Sequence, residues 1–200
     1  MEQEKEFVIA AVLDLETELR TLEYIGNRQR QSENQINDIV FDTFGALIYP
    51  MCTSIWHNAI LKLYWLYDEK GQRGLRWFCG TLESPNEATI RWKEAIDVNA
   101  NELQKVRKFR DKWVAHRDKQ ASENPTEFWK DKERMTLKEA RPLLTAAKAL
   151  IEQDVKVMDA TEFGIPKIFE VIDFLVQEYP ESIQAMKQKG IISFHEPQIW

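Results

Sequence analysis

The residues best suited to chemistry lie between Lys105 and Lys119. This stretch holds seven Lys or Arg against two Asp, a local charge of +5 in a chain whose net charge is −6. Such a reversal of sign suits a phosphate backbone, because each cation that neutralises a phosphate releases condensed counterions. The plainer reading is a solvated helix face that neutralises acidic neighbours. The stretch also carries His116, one of three histidines with His57 and His195. Imidazole titrates near neutral pH and is well suited to moving a proton there.

Other chemistries are excluded by spacing. There is no GxGxxG, no GxxxxGK[ST] and no HExxH. The residues three before the histidines are Ser54, Trp113 and Ile192, so the Glu-x-x-His pairs of di-iron bundles are missing. No two histidines lie within four residues of each other, and no metal is expected. A Gly-x-Ser-x-Gly elbow is also lacking. Cys52 precedes His57 by five residues in an apolar stretch, where both read as core residues rather than as a nucleophile and its base. Cys52 and Cys79 form no CxxC, which argues against a zinc site or a disulfide and fits a reducing compartment. No cofactor is expected.

The elements that must position this chemistry are helical. Leu13, Leu15, Leu19, Leu22 and Ile25, preceded by Phe7, Val8, Ala11 and Val12, recur at helical spacing from about residue 3 to Tyr24, with Gly26-Asn27 as the expected stop. Ile36 to Ile48 predicts a second helix that Pro50 kinks or restarts. Ile55 to Tyr67 is apolar on nearly all sides and reads as the central, buried helix. A connection through Gly71 and Gly74 leads to a short helix over 75–82, and Ser84-Pro85 has the form of a cap with proline at the first helical position. The basic stretch predicts a helix over about 101–117 with Leu103, Val106, Phe109 or Arg110, Trp113 and Val114 on its apolar face. Thr136-Leu137-Lys138-Glu139 has the form of a capping box, opening a long helix that contains Pro142. Gly164-Ile165-Pro166 opens a last apolar helix, and residues 190–200 read as a docking tail.

Seven Gly and seven Pro in 200 residues disfavour frequent turns, which removes all-β sandwiches and collagen-like chains. Charged residues at 30% accompany 11% aromatics, seven of them Trp, enough to bury a core rather than stay disordered. No repeat or linker divides the chain, so 1–200 reads as one all-α domain, an irregular up-and-down bundle of about six to eight helices. The acidic balance argues against a general nucleic-acid or membrane-surface binder, leaving local patches to act. An acidic N-terminus and the lack of any 18-residue apolar run point to the cytoplasm, with no membrane partner.

The stretch Arg110-Asp111-Lys112-Trp113-Val114-Ala115-His116 resembles the motif of HEPN domains, an Arg and a His separated by four to six residues with a polar residue directly after the Arg. Its continuation, Ala115-His116-Arg117-Asp118, looks like the abortive-infection, phage-defence branch of that superfamily. Ile55 to Asp68, followed by a loop and a short helix, is similar to the preceding helices of the same branch. The resemblance covers about residues 10–155 and implies a HEPN-like helical fold.

What it implies about function is metal-independent RNA cleavage by a toxin-like ribonuclease, at a site formed where two motif helices meet in a homodimer. His116 would polarise or deprotonate the ribose 2′-hydroxyl or protonate the leaving oxygen. Arg110 would hold the phosphate with its planar, permanently charged fork. Asp111 would orient a basic side chain or support the dimer, and Lys112, Arg107 and Arg117 would contact the RNA. Six residues on one helix separate Arg110 from His116 by roughly 9 Å along the axis and about 120° around it. A composite of two antiparallel helices is therefore geometrically reasonable. An antitoxin or another defence protein is the further partner implied. The alternative is a non-catalytic helical module of the same superfamily that binds RNA or protein through this surface.

Overall fold

The computed structural model describes residues 2–30, 35–71, 73–111 and 135–152 and, beyond them, 170–171, 173–174, 177–179, 181–182, 185 and 188–189. The chain is all-α, a helical bundle with no strand among the described residues. Six helices are described: α1 (Glu2–Arg30), α2 (Gln35–Leu66), α3 (Leu75–Gly80), α4 (Pro85–Val98), α5 (Ala100–Phe109) and α6 (Leu137–Ile151). The chain divides into two compact units, one of Met1–Leu19 with Trp56–Thr161 and one of Arg20–Ile55 with Glu162–Trp200.

The first unit contains the basic segment. Its core takes Val8, Val12, Leu15 and Leu19 from α1 and Ile60, Leu63 and Leu66 from α2. Leu75 and Phe78 of α3, Met135, and Leu143 and Leu144 of α6 complete it, all almost completely buried. Each such side chain contributes roughly 1.5–3 kcal/mol of transfer free energy. Helix α3 packs on α4, and α6 packs on α3, α4 and α5. Polar pairs tie these helices together. Lys148 Nζ of α6 donates to the buried Glu16 of α1 at 2.8 Å, and Lys62 Nζ of α2 donates to Glu18 of α1 at 2.7 Å. The Tyr67 hydroxyl, at the end of α2, donates to the Leu143 carbonyl at 2.6 Å.

The capping box at α6 is present as its sequence implies. Thr136 Oγ1 accepts from the Glu139 amide, and the Glu139 carboxylate accepts from the Thr136 amide at 2.8 Å. Pro142 lies on an exposed position of α6 and does not interrupt it. Ser84 is the N-cap of α4 with Pro85 behind it, but its side chain makes no capping bond. In the described part of the basic stretch, α5 buries Leu103 and Val106 as expected, and of Phe109 and Arg110 it is Phe109 that is buried.

Two expectations are corrected in the second unit. Gly26-Asn27 does not end α1, which continues to Arg30. An interior glycine costs about 1 kcal/mol relative to alanine. Here Ile25 is buried beside it, and Arg28 forms a two-pronged ion pair with Asp173, its Nη1 to Oδ2 distance being 2.7 Å. Tertiary contacts on both sides of the glycine therefore outweigh local propensity. Pro50 does not restart the second helix either: α2 runs through it as one element, with the proline ring on the exposed side and Cys52 buried. Among the described residues no helix is long and apolar enough to cross a membrane.

Candidate functional site

The site begins with the periodicity of α5. Leu103, Val106 and Phe109 fall on one face and are buried, so Arg107 and Lys108 are turned outward in the last turn, where the carbonyl end of the helix favours cations. Phe109 meets the Trp56 ring edge-on with centroids 6.5 Å apart. That contact anchors the end of α5 to α2. The helix then widens into a π-type turn at Arg110 and Asp111. Such wide turns often occur at functional positions.

The turn lays the Arg110 guanidinium over the Tyr64 ring of α2, 3.7 Å from its centroid. Contacts of this kind contribute about 0.5–2 kcal/mol depending on solvent exposure. Arg110 Nε donates to Asp111 Oδ1 at 2.8 Å, and Nη2 donates to the same oxygen. Burial works against the charge of Arg110, but the bonds and fields of Asp111 and Tyr64 outweigh it and push its pKa up. The group is thus a fixed cation held by an aromatic face on one side and a carboxylate at its edge.

One turn earlier, Arg107 Nη2 donates to Glu69 Oε1 at 2.8 Å, linking α5 to the turn that follows α2. Both partners are about half exposed, 52% and 51%, so this pair is worth only about 0–1 kcal/mol. Lys105 pairs with Glu139 at the start of α6. Between α5 and the end of α2 lies a cleft of about 350 Å³ lined by Tyr64, Tyr67, Asp68, Glu69, Lys70, Leu103, Val106 and Arg107. Its rim is shaped by the 67–71 turn, in which the Gly71 amide donates to the Asp68 carbonyl and the Lys70 amide to Asp68 Oδ1.

Of the residues singled out from the sequence, Arg107, Arg110 and Asp111 stand together at the end of α5. Lys112, His116 and Arg117 lie outside the described residues, as do His195 and the 190–200 tail. Tyr64, Glu69 and Lys70 were not anticipated as parts of a site. On a helical wheel Tyr64 falls next to the buried Ile60, at the margin of the buried arc of α2, a position that does not by itself mark it as part of a site. Nothing in the sequence pairs Glu69 with Arg107 across 38 positions.

Neither cysteine is poised as a nucleophile. Both are free and buried, and burial pushes the Cys52 thiol up to about 12 and the Cys79 thiol to about 11. Among the described residues no group of three or more His, Cys, Asp or Glu side chains converges to hold a metal.

Fold and site together define an all-α protein that presents arginines at the end of a basic helix, beside an aromatic-walled cleft. Compared with protein-family models, curated proteins and solved structures, the chain matches none.

Proposed function

We propose that this chain is a HEPN-type, abortive-infection ribonuclease that cleaves RNA without a metal. It would act as a cytoplasmic homodimer whose composite site joins Arg110 and His116, with an antitoxin or another defence protein as a further partner. The observation that carries the reading is Arg110 itself. Its guanidinium is fixed on Tyr64 at the widened end of a basic helix, six residues before the one histidine of that segment. A cation oriented in this way is suited to the charge that develops on a phosphodiester, since a preorganised donor needs no reorganisation as the charge forms. His116 supplies the proton transfer at the 2′-hydroxyl or the leaving oxygen. The products are a 2′,3′-cyclic phosphate and a 5′-hydroxyl.

The test is to incubate wild type, His116→Ala and Arg110→Ala with mixed RNA in excess EDTA and to analyse fragment ends. Cleavage to cyclic phosphates by wild type alone, with both variants folded, is the expected result. Equal cleavage by all three would mean a contaminating nuclease and would remove the reading.

A second reading has its own observation. Arg107 and Arg110 both already meet carboxylates of the same chain, Glu69 and Asp111. A surface neutralised in this way suits a non-catalytic module that binds RNA or protein. Salt-dependent RNA binding without cleavage would favour that module.

A further inference from the structure

A second cavity lies between the turn that follows α2 and the short helix α3. It measures about 460 Å³, within the range of small-molecule sites, and Glu69, Lys70, Arg76 and Trp77 are among the residues that line it. Arg76 is held in place there. Its Nη1 donates to the Glu69 carbonyl at 2.6 Å, and its guanidinium carbon lies 5.9 Å from the centroid of the Trp92 ring, which is buried in α4. That hydrogen bond uses one corner of the guanidinium. The Nε–Nη2 edge, which can grip a carboxylate with two parallel bonds, has no partner among the described residues. Lys70 Nζ likewise meets no carboxylate among the described residues. The Glu69 carboxylate is taken up by Arg107 of α5, so it does not neutralise either cation. Trp77 is half-buried, which leaves part of its ring open to a ligand.

We propose that this cavity binds a small aromatic carboxylate, its carboxyl group on Arg76 and Lys70 and its ring against Trp77. The charge balance selects a single negative charge. Lys70 and Arg76 against Glu69 leave the lining with one net positive charge, which a monoanion matches. A phosphate dianion would bring a second negative charge among groups that include Glu69. The anchored guanidinium selects a planar acid, because its unused edge and a carboxylate have the same fork geometry and little side-chain freedom remains to be lost on binding. Trp77 selects a flat body, since aromatic rings pack edge-on or offset against one another. The ribonuclease reading uses none of Lys70, Arg76 and Trp77, so this site stands or falls apart from it.

The test is calorimetric titration of the full-length protein with two aromatic acids, indole-3-acetate and benzoate, and with indole-3-acetamide, acetate and inorganic phosphate. At least one aromatic acid is expected to bind saturably at a single site. Indole-3-acetate should bind about tenfold or more tightly than its uncharged amide, as a charge-assisted fork implies. Acetate, which lacks the ring, and phosphate should both bind more weakly than the aromatic acids. Arg76→Ala should bring indole-3-acetate to the level of the amide, and Arg76→Lys, which keeps the charge but not the fork, should fall between. Trp77→Ala should bring it to the level of acetate, whereas Trp77→Phe should keep binding within a few-fold of wild type. Lys93→Ala, which removes an exposed cation of α4 outside the lining, should change little. Circular dichroism checks that each variant is folded, and the milder pair, Arg76→Lys and Trp77→Phe, carries the comparison if the alanine variants are not. The proposal is overturned if folded wild type gives no saturable isotherm with either aromatic acid, or if the amide binds as tightly as the acid. Tighter binding of phosphate than of the aromatic acids would overturn it too, as would folded Arg76 variants that bind like wild type. RNA cleavage plays no part in the readout, so failure of the ribonuclease reading would leave these results unchanged.

Discussion

Replacing Gly74 by alanine should destabilise the protein, although glycine-to-alanine changes at ordinary backbone angles usually do the opposite. Gly74 is the buried N-cap of α3 with φ near −91°, a conformation open to any residue, so the cost is purely steric. A methyl group there would stand 2.8 Å from the carbonyl oxygens of both Trp65 and Leu66, at the end of α2. Relief requires about half an ångström of movement by main chain rather than by a flexible side chain. Overpacking of this kind costs about 1–3 kcal/mol, against about 0.4–1 kcal/mol gained from a stiffer unfolded chain. The net expectation is a loss of about 1–2 kcal/mol, or about 3–6 °C in Tm for a chain of this size. Two other glycines calibrate the measurement. Around Gly80, the exposed last residue of α3, nothing lies within 4 Å of an added methyl, so Gly80→Ala should stabilise by about 0.5–1 kcal/mol. At Gly71 the nearest atoms, Asp68 Cβ and carbonyl oxygen, are 3.3 Å away, and the effect should be close to zero. Urea unfolding of the three variants, followed by tryptophan fluorescence, reads the order directly. If Gly74→Ala proved as stable as Gly80→Ala, the close approach of this connection to the end of α2 would be refuted, and with it the described shape of the cleft rim.

Two further outcomes follow from ionisation. Burial opposes the charge on Glu139, but Lys105 and the Thr136 amide and hydroxyl outweigh it and hold its pKa below 4.5. Its stabilisation is therefore present above the unfolded value and lost as pH falls through the lower folded value. Glu139→Gln should lower stability at pH 7 by about 1 kcal/mol and flatten the acid limb of a stability–pH curve; an unchanged acid limb would contradict the assignment. The thiols of Cys52 and Cys79, raised by burial, should ignore a disulfide reagent at pH 8 in native protein and both react in urea. Rapid labelling of folded protein would show that one of them is not buried.

How far the fold could be read ahead of the structure depended on whether its signals were local. The capping box at Thr136 and Glu139 is a four-residue device, and its two hydrogen bonds form as the spacing implies. The buried positions of α6 and α5 follow from apolar periodicity, because a helix face has one direction in which to hide, whereas the end of α2, apolar on nearly all sides, gave no such direction and leaves Asn58 and Leu61 exposed. Gly26 was misread because it is a stop signal only by propensity, and the helix that Pro50 was expected to kink or restart is one element. Burial of Ile25 and the Arg28–Asp173 pair supply more free energy than the glycine withholds. Ser84 shows the opposite case: the cap position is right, but the hydroxyl makes no capping bond.

The amino-acid sequence by itself determined the helical class, the inward faces and the clustering of Arg107, Arg110 and Asp111 on one basic segment, since each depends on composition or on spacing within a few turns. Tertiary structure alone decided that Arg110 lies on Tyr64, that Arg107 reaches Glu69 and that a cleft opens between them. These contacts join residues 38 or more positions apart in the chain. Helical periodicity says which way a side chain points but not which element it will meet. That choice is made by the packing of whole helices, when Phe109 seats against Trp56 and Gly74 brings the connection close to the end of α2.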